Sequence, residues 1–115
     1  MINIYNMKRS IFILSTIFFF TSTTFISCEK DKQDPSKVVI DSEKFVPSTI
    51  TVKTGTTVTW VNDEGDMHTV TSNYGVFDSG DLTDGSSFSF TFSTPGEYYY
   101  HCKHYTTMTG CVIVE

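Results

Sequence analysis

Eleven consecutive residues, Tyr100-His101-Cys102-Lys103-His104-Tyr105-Thr106-Thr107-Met108-Thr109-Gly110, place a thiol, an imidazole and a thioether within seven positions. A second imidazole, His68, lies 34 residues before Cys102. Thiolate, thioether and imidazole are the donors that copper prefers when it cycles between its two oxidation states. Magnesium and calcium would call for oxygen ligands instead. Three donors on one loop, with a fourth from a neighbouring strand, allow a stiff scaffold to shape a site before metal arrives. Such a site reorganises little when an electron enters or leaves. Each residue alone has an ordinary alternative: Cys102 as a buried core thiol, Met108 as core filler, His68 as a surface histidine. Their joint occurrence is what points to a metal.

The elements that must hold these donors are strands. From Lys37 onward the apolar pattern has period two. Val38-Val39-Ile40 begins a strand, and Ile50 and Val52 alternate with Thr49, Thr51 and Lys53. Val58 and Trp60 alternate with Thr57 and Thr59, and Phe88, Phe90 and Phe92 with serines and Thr91. Tyr98 and Tyr100 carry the rhythm toward Cys102, and Val112 and Val114 end the chain. Turn signals fall at Lys53-Thr54-Gly55, Asp78-Ser79-Gly80-Asp81, Thr83-Asp84-Gly85 and Thr94-Pro95-Gly96. No stretch after Cys28 has a 3.6-residue apolar stripe. The expectation is an all-β, Greek-key antiparallel β-sandwich with Trp60 and the three phenylalanines as its bulk. Tyr98, just past Pro95-Gly96, stands where a Greek-key corner tyrosine would, or where a plain core residue would.

The 115-residue chain has room for one domain. Residues 1–27 carry Lys8 and Arg9, two short apolar runs and no acid, and read as an export signal. The apolar centre is about half the ~20 residues a membrane span needs. Ser27-Cys28 resembles a bacterial lipoprotein box, departing from it at Phe25-Ile26, and implies a lipid on the Cys28 thiol. Residues 28–36, charged and ending Pro35-Ser36, read as a flexible tether. From Cys28 onward six lysines and no arginine stand against 13 acids, a net charge of −7. A chain this acidic lacks the basic footprint of a nucleic-acid binder.

Residues 37–115 resemble the cupredoxins, the small blue copper proteins, and the plastocyanin, pseudoazurin and amicyanin group in particular. The matching stretches are Phe45-Val46-Pro47 with Ile50-Thr51-Val52, Gly55 with Val58-Thr59-Trp60-Val61-Asn62, and His68-Thr69-Val70. Phe77-Asp78-Ser79-Gly80, Phe88-Ser89-Phe90, Pro95-Gly96-Glu97-Tyr98, Tyr100-His101-Cys102 and Met108-Thr109-Gly110 follow. The resemblance implies one copper ion, with His68, Cys102 and a loop histidine as equatorial ligands and Met108 as the long axial one. It also implies that Asn62 ties the two ligand-bearing loops together through hydrogen bonds.

One departure matters. The family has two residues between the cysteine and the loop histidine; here only Lys103 intervenes. The five residues between Cys102 and Met108 match the short amicyanin-like loop, so a gapless comparison sets Tyr105 at the histidine position. In extended backbone, Cys102 and His104 would face one side; alternatively, His104 arrives from a changed turn. A Tyr105 ligand would harden the site and disfavour reduced copper. The expected ligands are therefore His68, Cys102, His104 and Met108. His101 is expected to face away, and Asp63, Glu64 and Asp66 to lie in a solvated loop. Cys111 is expected as a free thiol that faces outward or lies near an edge, since a bridge to Cys102 would destroy the site.

The expected function is one-electron transfer by a single copper outside the cytoplasm, with storage or delivery of copper as the alternative; no enzyme activity is expected. The expected partner is a redox protein, such as a cytochrome or a copper enzyme. The protein is expected to be a monomer, held at a periplasmic or cell-surface membrane through Cys28.

Overall fold

A computed structural model describes residues 33–115. The expected export signal, the lipidation site Cys28 and the first part of the tether lie outside the described residues. The described part begins with a turn, in which the Asp34 carboxylate accepts bonds from the Ser36 N–H (2.9 Å) and hydroxyl (2.8 Å).

Among the described residues eight strands and no helix follow: β1 (Lys37–Asp41), β2 (Lys44–Val46), β3 (Thr49–Val52), β4 (Thr57–Asn62), β5 (Thr71–Ser72), β6 (Ser87–Thr91), β7 (Gly96–His101) and β8 (Thr109–Val114). They form two four-stranded sheets, ordered β2-β1-β4-β6 and β3-β8-β7-β5. The period-two pattern accounts for the packing between them. Val38, Ile40, Val58 and Trp60 from one sheet and Val52, Tyr100, Val112 and Val114 from the other are all buried. Outward positions carry hydroxyls that pair across strands, Thr57 with Thr91 at 2.6 Å and Thr59 with Ser89 at 2.8 Å.

Two features differ from the sequence-based expectation. The sheets are not antiparallel throughout: β1 runs parallel to β4 (Val38 opposite Trp60) and β3 parallel to β8 (Ile50 opposite Val112). Alternation looks the same for either strand direction, and direction here follows from where the chain crosses between sheets. The three phenylalanines are also not equal. Phe92 is fully buried, while Phe88 and Phe90 on the edge strand β6 are half-buried.

Tyr98 serves both of its expected roles. Its hydroxyl donates to the Thr94 carbonyl at 2.7 Å, the back-bond of a tyrosine corner, and its ring lies 4.8 Å from that of Phe92. Across the β7–β8 pair, Tyr100 faces Gly110 so closely that a Cβ on Gly110 would overlap the Tyr100 ring. Tyr100 is fully buried against Trp60 and Phe45 and has no room to retreat. Gly110→Ala is expected to cost about 1–3 kcal/mol, the usual cost of overpacking a core. The denaturation midpoint in urea checks this, and an unchanged midpoint would show that the ring can give way.

Candidate metal centre

The strand ends at one end of the sandwich carry the donors. β4 ends at Asn62, and the following loop brings in His68, which is fully buried and bridges to Leu82 through bonds of 3.1 and 2.7 Å. β7 ends at His101, so Cys102 begins the loop toward β8 and Met108 closes it. Cys102 is fully buried, and its Sγ lies 3.6 Å from His68 Nδ1. A metal at ordinary thiolate and imidazole bond lengths, about 2.3 and 2.0 Å, would hold these two atoms roughly 3.5 Å apart at a tetrahedral angle. The pair therefore fits an ion between them. Met108 is buried in the same apolar cluster, and its carbonyl accepts the Cys102 N–H at 3.1 Å.

Thr69 joins the two ligand-bearing segments. Its N–H donates to Cys102 Sγ at 3.4 Å, and its hydroxyl accepts the Lys103 N–H at 2.9 Å. Both bonds set the position of the sulfur. Asn62 acts on the His68 side alone. Its amide donates to the carbonyls of Asp66 (2.8 Å) and Leu82 (2.9 Å), and its oxygen accepts the Glu64 N–H at 3.2 Å. The resemblance pointed to Asn62 as the tie between the loops, but in this chain Thr69 makes that link. A threonine in a strand-like stretch carries no sequence signal for such a role.

Glu64 was also not singled out by the sequence, which read its loop as solvated. Its Oε2 accepts the Glu43 N–H at 2.9 Å and stands 2.8 Å from His68 Nε2, though not in line with a ring N–H bond. A carboxylate at the far nitrogen suits the tautomer that leaves the Nδ1 lone pair free on the side facing Cys102.

The loop after Cys102 does not run on as extended strand. It bends at residues 103–105 and turns at 106–107, with the Met108 N–H bonded to the Tyr105 carbonyl at 2.9 Å. Same-side placement of residues two apart therefore does not apply. His104 is exposed, its Nε2 2.8 Å from Asp81 Oδ1, and Tyr105 lies against His68 with ring centroids 5.0 Å apart. The Tyr105 hydroxyl donates to Asp66 at 3.1 Å, and that bond to a carboxylate pushes its pKa up. Of the four expected ligands, the structure brings the donor atoms of His68 and Cys102 to 3.6 Å, buries Met108 in the apolar cluster that holds Cys102, and places His104 on Asp81.

His101 turns outward, its Nδ1 2.7 Å from Asn73 Oδ1. Lys103 reaches Asp78 at 2.7 Å, and the ammonium holds that carboxyl below its ordinary range. Cys111 is a free thiol, but it neither faces solvent nor lies at an edge. β8 is paired on both sides, by β3 and β7, and burial pushes the Cys111 thiol pKa up.

A family model described as a cupredoxin-like domain matches residues 10–114. Amicyanin from Paracoccus versutus is 34% identical over 87 residues, which cover 71% of this chain and 66% of that protein. Chloroplastic plastocyanin from Tetradesmus obliquus is 33% identical over 84 residues, covering 62% and 58%. The chain thus spans just under two thirds of the amicyanin's length. Among solved structures, a reduced copper(I) form of an amicyanin variant at pH 4 superposes with a TM-score of 0.66 at 34% identity, covering 69% of this chain and 80% of that one.

Proposed function

Because the chain belongs to the cupredoxin-like family, we propose that it is an exported copper protein that carries single electrons between redox partners. The observation that carries this reading is the 3.6 Å approach of Cys102 Sγ to His68 Nδ1, both side chains fully buried. Bound copper would supply the one-electron couple. His68 and Cys102 would hold the ion, and Met108 would add a weak soft contact that tunes its potential. Thr69 fixes the sulfur in advance, Glu64 stands at the far side of the His68 ring, and the apolar cluster around Cys102 and Met108 excludes water. The basic, apolar leader of residues 1–27 supports export. The net charge of −7 from Cys28 onward supports partners with basic patches, such as a cytochrome.

A second reading, storage or delivery of copper, draws support from His104, whose ring is turned to Asp81. Voltammetry of the copper-loaded protein is expected to give a reversible one-electron wave at constant copper content. Electron exchange with a basic cytochrome should slow as ionic strength rises. No wave, together with release of the metal to an acceptor, would replace the first reading with the second. A rate flat in salt would remove the steering argument.

A further inference from the structure

We infer that Tyr105, not His104, closes the site over His68. Copper is then held by His68, Cys102 and Met108 alone, a donor set that selects copper(I) over copper(II). This rests on the copper reading above and deepens it by assigning the oxidation state that the site favours.

Spacing and backbone bonding carry the inference. Tyr105 is three residues after Cys102, and its ring sits 5.0 Å from that of His68. His104 points instead to Asp81, with side chains 42% and 56% exposed. A pair that open to water is too weak to hold His104 away from a metal by itself. The backbone does that work. The Cys102 N–H is bonded to Met108 O, the Lys103 N–H to Thr69 Oγ1, and the Met108 N–H to Tyr105 O. The loop is thus pinned on both sides of residue 104 and at residue 105. Bringing His104 inward would break these bonds and lift Tyr105, whose hydroxyl is already committed to Asp66 at 3.1 Å. One imidazole, one thiolate and one thioether make a softer set than the same three with a second imidazole. Soft donors favour copper(I), and added nitrogen favours copper(II).

Two variants test this, with copper(I) affinity read by competition against a coloured chelator and copper(II) affinity by titration. His104→Ala is expected to keep both affinities within about twofold, because the His104 ring is turned to Asp81. Tyr105→His places an imidazole where the tyrosine ring now lies. It is expected to bind copper(II) at least tenfold more tightly with copper(I) binding unchanged, and its potential should fall by about 59 mV for each factor of ten. A tenfold or greater loss of either affinity in His104→Ala would overturn the inference while leaving the copper reading intact. So would a folded Tyr105→His protein with unaltered copper(II) affinity. If the unmodified protein retains no copper(I), or Cys102→Ser retains it equally well, the copper reading itself fails, and the inference fails with it.

Discussion

Cys102→Ser is expected to abolish the intense thiolate-to-copper band and to weaken copper(I) binding by well over the ~100-fold that loss of an outer-shell partner can cost. The sulfur is the one soft anionic donor near His68, and a serine hydroxyl stays protonated at neutral pH and binds copper(I) poorly. The fold should survive. Serine is slightly smaller than cysteine, and the Thr69 N–H that now donates to sulfur at 3.4 Å would find an oxygen in much the same place. Spectra and chelator competition measure the metal, and far-UV circular dichroism checks the fold. A variant that keeps its band and its affinity would show that another residue binds the ion.

Trp60→Ala is expected to destabilise the protein by about 3–5 kcal/mol. Trp60 is the only tryptophan in the chain and is fully buried. Its ring lies 5.5 to 6.4 Å from those of Tyr100 and Phe88, one from each sheet, of Phe77 in the loop between β5 and β6, and of Phe92 just past β6. Removing the indole leaves a cavity that these rings cannot all collapse into. A domain of this size has roughly 5–15 kcal/mol to lose, so the variant should be close to unfolding. Trp60→Phe should be milder, because it keeps an aromatic ring in the core and leaves a smaller cavity than the alanine change. Urea unfolding followed by circular dichroism is the measurement, since the variants lack the fluorophore. A cost under about 1 kcal/mol for the alanine variant would mean that the core repacks.

Burial followed directly from the chain's alternation. Val38, Ile40, Val58, Trp60, Val112 and Val114 turn inward because successive residues in a strand face opposite sides. The soft donors were likewise legible, because Cys102, Met108 and His68 are residue types whose chemistry stands apart from core packing. Strand direction was not legible. The pairings of β1 with β4 and of β3 with β8 join segments whose partners are chosen by crossings between sheets, and apolar periodicity does not encode those. The burial of Cys111 escaped for a related reason: β8 lies between β3 and β7, and cross-strand side chains such as Tyr99, directly opposite, crowd the face on which Cys111 stands.

What the sequence determined by itself was an alternating chain suited to a sandwich, with a thiol, a thioether and imidazoles grouped around one loop. Only the tertiary structure decided which of them meet. His104 and Tyr105 are adjacent, and counting residues leaves open which one comes inward. The choice is made by bonds to Thr69, Met108, Asp66 and Asp81, which lie in other parts of the chain or across the turn. Glu64 and Thr69 owe their places to the same cause. Their chemistry is common on any surface, and it bears on the site because the fold sets a carboxylate 2.8 Å from the His68 ring and an amide 3.4 Å from the Cys102 sulfur.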